Sequence, residues 1–229
     1  MKKKSENTNH GQVPRVQFRT QREIESLARK EVEAIEGYKP GSPVPVQDYI
    51  EYGILKKRHN VTYAVSNLPS VYVGKFEIDK TSRNKIITID QSQWIKGLAG
   101  NGEEKIKARF TMAHEIGHAI LNGEEMIEMA ECQDQRVLYK KGCIEPPNEC
   151  PEWQADRFAE AMLMPAVSVR RLLDEYKSNQ SGGFGNMVID RMSVPRQLVV
   201  PRVRTLVRLK LVDNVFTNYR NRSWFWWGK

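Results

Sequence analysis

Two histidines, His114 and His118, lie four residues apart, and Glu115 directly follows the first of them. In an α-helix, residues at this spacing lie on one face, so both imidazoles can reach one metal ion while Glu115 lies beside it. A carboxylate in that position can act as general base toward a water molecule that the metal activates. The pattern therefore predicts a metal site, with zinc as the expected ion and hydrolysis as the expected chemistry.

The residues around this motif predict the helix that it needs. Asn101 and Glu104 have the spacing of a capping box, and Gly123 is placed to end the helix. Apolar and small residues recur at helical spacing, at Ile106, Phe110, Ala113, Gly117 and Ile120. The two histidines lie next to this stripe on the helix surface. A chance motif on a surface helix is the alternative. The apolar surroundings argue against it, because charged groups are unfavourable there unless a metal or partner offsets their desolvation.

Catalytic zinc usually has three protein ligands and an open position for water. The other two histidines, His10 and His59, both precede the motif, so the third ligand should be a carboxylate. Glu152 and Asp156 lie four apart in a predicted helix that begins at Pro151. One can bind the metal while the other hydrogen-bonds a ligating histidine. This favours Glu152 as ligand; the alternatives are Glu160 and then Glu124 or Glu128.

The elements before the motif predict an α+β fold. Helices are expected over residues 21–38 and from about 46 to 59. Short β-branched segments then follow at residues 61–66, 71–79 and 85–90. We expect a small three-stranded antiparallel sheet packed on the HExxH helix. An exposed edge strand beside a metal site can bind an extended peptide through main-chain hydrogen bonds, as zinc peptidases require.

Two segments together, RFTMAHEIGHAIL and EWQADRFAEAMLMP, resemble the ImmA/IrrE family of bacterial zinc metallopeptidases. The similarity extends over roughly residues 44–212. It implies a zincin-like (gluzincin-type) fold with zinc ligands at His114, His118 and Glu152 and with Glu115 as the catalytic base. Many members have Asn at the position of Asp156, but a carboxylate keeps the same role toward a ligating histidine. The long insert from Gly123 to Cys150 departs from shorter members.

The resemblance also implies a substrate, because similar proteins cleave a helix-turn-helix repressor encoded nearby. We therefore expect a zinc-dependent endopeptidase that cleaves a specific intracellular protein, a DNA-binding repressor. The alternative is a DNA-binding or protein-binding regulator whose metal site is structural and not catalytic. Glu115 argues for the enzyme, since a structural site needs no general base. Two histidines and one glutamate can also hold manganese, iron or cobalt.

The C-terminal segment is basic and loosely resembles the helix-turn-helix-like segment of the same family. A flexible break is expected at residues 181–185, and a helix start at Ser193. A further helix is expected with basic residues on its outer face, at Arg202, Arg204, Arg208 and Lys210. Direct nucleic-acid binding is possible, but a packing unit that docks the repressor is favoured. Aromatic residues follow near the end, at Trp224, Phe225, Trp226 and Trp227.

Composition and charge fit a folded, water-soluble protein of 229 residues, 40% hydrophobic and 28% charged. No apolar run suits a membrane span or a signal peptide, so we expect a cytoplasmic protein without membrane contact. The net charge of +8 is terminal: residues 187–229 carry +7 and residues 1–30 carry +5, leaving −4 between them. Three cysteines, Cys132, Cys143 and Cys150, match no common zinc spacing and are expected to be free thiols.

These features predict three regions. Residues 1–43 form a basic, partly disordered N-terminal extension with one helix, and residues 44–180 form the metallopeptidase domain. Residues 187–229 form the basic helix-turn-helix-like segment with its aromatic tail.

Overall fold

The computed structural model describes residues 16–79, 81–100, 102–132, 147–179 and 182–213. Three strands lie within these ranges: β1 (Val61–Ser66), β2 (Gly74–Ile78) and β3 (Lys85–Asp90). The α-helices within them are α1 (Gln21–Glu33), α2 (Val46–Glu51), α3 (Ile54–His59), α4 (Gln91–Ala99), α5 (Gly102–Leu121), α6 (Gly123–Cys132), α7 (Pro151–Leu163), α8 (Ala166–Asn179), α9 (Phe184–Met192) and α10 (Arg196–Arg208). The expected α+β class is confirmed.

The sheet is mixed, and the prediction of an antiparallel sheet was wrong. β3 lies in the centre, parallel to β1 and antiparallel to β2. The two central isoleucines of β3, Ile87 and Ile89, are fully buried, whereas four of the six residues of β1 are exposed. An apolar strand is most stable between two neighbours, and an exposed one suits an edge. This burial pattern fits the position of β3 between β1 and β2.

Local backbone geometry shortens two predicted elements and divides a third. The helix expected from Val46 to His59 is two helices, because Gly53 between them has a left-handed φ of 74° that no α-helix can continue. α1 ends at Glu33 instead of near Tyr38, and β2 begins only at Gly74. Asp90 caps α4, a helix that the sequence analysis did not predict.

The HExxH helix, α5, packs most closely on α7. A Cβ atom on Gly117 would lie 3.0 Å from the Cα of Ala155 and 3.1 Å from its carbonyl oxygen. A side chain at position 117 would therefore require the backbone of α7 to move by a few tenths of an ångström. Asn101, the predicted cap, lies outside the described residues, and Gly123 begins α6 instead of ending α5 in a left-handed turn.

α1 also packs against α7 and belongs to the same buried core. Its residues Ile24, Ala28 and Val32 join Phe158 and Ala159 of α7 in one hydrophobic cluster. The helix that carries Glu152 is therefore held between α5 and α1.

The C-terminal helices differ from prediction at three points. Phe184, placed in the flexible break, is fully buried and begins α9. Ser193 ends α9 with a left-handed φ of 52°, so it does not start the next helix, α10. Arg202 is not on the outer face: it is 1% exposed and pairs with Glu25 of α1. A helix-turn-helix in this region stays a prediction, and the four aromatic residues of the tail lie outside the described residues.

Among the described helices, none is long and apolar enough to cross a membrane. The three regions expected from the sequence stay a prediction.

Candidate metal centre

His114, His118 and Glu152 converge where α5 crosses α7. The two Nε2 atoms are 3.0 Å apart, and the Glu152 carboxylate oxygens lie 3.5 Å from His114 Nε2 and 3.4 Å from His118 Nε2. Ligands about 2.0–2.1 Å from a tetrahedral zinc ion are about 3.3 Å from one another. The three side chains therefore have the donor types and the separations that fit zinc.

Asp156 lies one turn beyond Glu152 on α7 and contacts the other ring nitrogen of His114. Its Oδ1 is 2.9 Å from His114 Nδ1. A proton on Nδ1 that is donated to this carboxylate leaves Nε2 with its lone pair toward the cluster. This contact is compatible with the orientation and the tautomer of His114 that metal binding needs.

The charges of the cluster favour a cation at its centre. Burial lowers the pKa of His114, but hydrogen bonds to Asp156 and Glu152 outweigh this effect and raise the pKa to about 10. Burial raises the pKa of Glu152, yet contacts with His114 and His118 hold it well below its usual range. Two carboxylates around partly buried imidazoles thus require positive charge, which a proton or a metal ion can supply.

Glu115 lies beside the cluster on α5 and faces the edge strand β2. A Cβ atom on Gly74, the first residue of β2, would lie 2.8 Å from Glu115 Oε1 and 2.9 Å from its Cγ. Burial raises the pKa of the Glu115 carboxyl, while the nearby histidines oppose the shift. The Glu115 carboxylate therefore lies between the cluster of His114, His118 and Glu152 and the strand β2.

The other candidates for the third ligand lie elsewhere. Glu124 Oε1 is 2.6 Å from Lys85 Nζ. Glu160 is buried, pairs with Arg157 at 2.6 Å, and has its pKa raised to about 7 by burial. The side chain of Glu128 and residues 133–146 of the insert lie outside the part of the chain that the structure describes. Among the described residues, Glu152 is the carboxylate that joins the two histidines.

Two groups that hold the site were not singled out from the sequence. The first is Gly74, whose role depends on a contact between β2 and α5 that no local pattern reveals. The second is a buried amide pair: Asn122 donates to Gln154 at 3.0 Å, and Gln154 donates to the Gln17 and Asn148 carbonyls. Asn122 is one turn after His118, a spacing that is the only sequence signal for this bridge between α5 and α7.

Residues 101–198 match the family model of the IrrE N-terminal-like domain, peptidase family M78. This range contains α5, α7 and every residue of the cluster. Over these residues the chain matches an IrrE-like peptidase domain. The resemblance expected from the two sequence segments is thereby confirmed for residues 101–198.

A solved structure described as a Mycobacterium tuberculosis transcriptional regulator is similar to this chain, with 14% identity and a TM-score of 0.47. The match covers 80% of this chain and 47% of that one, so this chain spans about half the length of the regulator. No curated protein matches the chain.

Proposed function

We propose that this protein is a zinc-dependent endopeptidase that cleaves a specific protein inside the cell, a helix-turn-helix transcriptional repressor. The observation that carries the proposal is the cluster of His114, His118 and Glu152 with Glu115 beside it and β2 next to Glu115. The membership of this domain in a peptidase family supports the reaction class. A cytoplasmic location stays a prediction from the sequence.

In the proposed site, His114, His118 and Glu152 hold the metal and Asp156 orients His114. A bound zinc ion supplies Lewis acidity, which lowers the pKa of a coordinated water and polarises a peptide carbonyl. The Glu115 carboxylate accepts the proton of the attacking water and delivers it to the nitrogen of the leaving amine. The burial of Glu115 favours this transfer, because it raises the pKa of the carboxyl and so makes the carboxylate a stronger base.

The geometry of β2 supports an extended peptide as substrate. Among the described strands, β2 pairs with β3 alone, and its first residue, Gly74, lies against Glu115. A peptide that adds to the other edge by main-chain hydrogen bonds would pass beside Glu115. A globular repressor would have to expose such a segment, in a linker or by local unfolding, before cleavage.

The test compares wild type with a Glu115→Gln variant, using the repressor encoded nearest to the gene of this protein as substrate. The amide keeps the size of the side chain but cannot accept the proton, so cleavage should fall by at least about a hundredfold. Zinc content, measured by elemental analysis, should stay at one ion per chain. A variant that loses cleavage together with zinc would leave the role of Glu115 unsupported.

The same experiment separates the enzyme from the alternative function. A regulator with a structural metal site would bind zinc in both forms, and neither form would cleave any repressor offered. In that case the protein should bind its partner equally well with Glu115 or with Gln at this position.

A further inference from the structure

A cavity lies away from the metal centre, between α1, the end of α7, the start of α8 and the chain after α10. Its volume is about 700 Å³, within the range of pockets that bind small molecules. The lining is apolar at its base, with Val32, Ile35 and Ala161 all buried. Such a cavity can hold an aliphatic or aromatic body of moderate size.

Three arginines, Arg22, Arg29 and Arg170, line the same cavity. Arg22 donates to the carbonyl oxygen of Leu209 at 3.0 Å, and Arg170 donates to that of Leu211. These acceptors are neutral and leave the positive charge of both guanidinium groups in place. Each guanidinium has five N–H donors, so donors remain for a ligand.

The two carboxylates of the cavity do not cancel this charge. Both oxygens of Glu25 accept hydrogen bonds from Arg202, which lies buried behind the wall. Glu33 forms only a long contact of 3.8 Å with Arg29, and both side chains are 64% exposed. The cavity therefore combines an apolar base with a net positive rim.

From this combination we infer that the cavity binds an amphipathic small-molecule anion, an aliphatic or aromatic carboxylate whose apolar body contacts Val32, Ile35 and Ala161. Its carboxylate pairs with Arg22 and Arg170, since charge-assisted contacts to guanidinium are the strongest that this rim offers. Residues 214–229 of the chain contain three basic residues and no Asp or Glu, so they offer no acidic side chain to this positive rim.

A ligand in this cavity would contact three elements together. α1 and α8 line its sides, Ala161 lies in the last turn of α7, and Pro165 lies two residues after that helix ends. Since α7 carries Glu152 and Asp156 at its other end, the ligand would stabilise the packing of the helix that completes the metal centre. The binding itself does not depend on the proposed peptidase activity, and its test uses no cleavage.

The test measures the fluorescence of anilinonaphthalene sulfonate, an aromatic anion, titrated with the full-length protein. We expect saturable binding of one probe per chain, displaced by decanoate but not by decyltrimethylammonium, which has the same alkyl chain and the opposite charge. Arg170→Gln and Arg22→Gln should each lower the affinity for the probe about tenfold, because each variant loses one hydrogen bond to a charged group. Both arginines are exposed, so these variants should fold, which thermal unfolding will check.

Arg171→Gln is the matched control. Arg171 is the next residue on α8, but its side chain lies against Gly41 in a different depression. This variant should bind the probe as wild type does. Equal displacement by the cationic detergent, equal weakening by Arg171→Gln, or no effect of either rim variant would overturn the inference, because the probe would then be reporting exposed apolar surface.

Discussion

Gly117 of α5 lies against the backbone of Ala155 of α7, where a Cβ atom at position 117 would be only 3.0 Å from the Cα of Ala155. Gly117 stands between the two histidines of the motif, and Ala155 stands between Glu152 and Asp156. The contact therefore sets the distance between the helices at the level of the metal centre.

A Gly117→Ala substitution should weaken metal binding. In an open helix this change stabilises by about 1 kcal/mol. Here the added methyl would lie 3.0 Å from a backbone atom of α7, and such overpacking typically costs about 1–3 kcal/mol. Because α7 would have to move away from α5, the distances from Glu152 to both histidines should increase. Competition with a zinc chelator measures the affinity, and an affinity equal to wild type would show that the helix contact does not control the site.

A Glu152→Ala substitution should release the metal. Two histidines remain, and loss of a ligand that accounts for one third of the protein donors should lower zinc content well below one ion per chain. Glu124→Ala is the control, because Glu124 pairs with Lys85 and lies outside the cluster. If Glu152→Ala retained full zinc content, the third ligand would have to be sought among other carboxylates, with Glu160 first.

A Gly74→Ala substitution should reduce cleavage of the substrate while zinc is retained. The new Cβ would lie 2.8 Å from Glu115 Oε1 and 3.0 Å from Thr111 Cγ2, so the carboxylate must turn away from its place. The metal ligands are not touched by this atom. Parallel measurement of cleavage rate and zinc content checks the expectation, and undiminished cleavage would show that the placement of Glu115 tolerates the change.

A Glu31→Gln substitution should make stability less sensitive to acid. Burial raises the pKa of Glu31, but the close contact with His59 and the hydrogen bonds from Arg58 and Tyr49 outweigh it and lower the pKa to about 2. The lowered pKa contributes stability that is complete above the unfolded value and is lost as pH falls toward the folded value. This amounts to about 3 kcal/mol at neutral pH.

Urea unfolding of wild type and variant at several pH values measures this effect. The difference in unfolding free energy should be largest near pH 7 and should shrink between about pH 5 and pH 2. The exposed Glu51 provides the control, and Glu51→Gln should leave the pH dependence of wild type unchanged. A constant difference between wild type and Glu31→Gln across this range would contradict the linkage.

The sequence by itself determined which residues share a helix face and predicted which of them could hold a metal ion. A spacing of four residues places His114 with His118, and Glu152 with Asp156, on one face of any α-helix, whatever the rest of the fold does. The start of α7 at Pro151 and the bounds of β1 and β3 also followed from local signals. Such patterns are reliable because they depend only on residues close together in the chain.

Only the tertiary structure decided how these elements meet. The place of β3 between β1 and β2 depends on which strand is buried most deeply, and the burial of Arg202 depends on Glu25, which lies far away in the chain. Likewise, the contacts of Gly74 with Glu115 and of Gly117 with Ala155 join elements whose separation is set by packing across the core. Local spacing carries no information about such distances, because they arise when the whole chain minimises its exposed apolar surface.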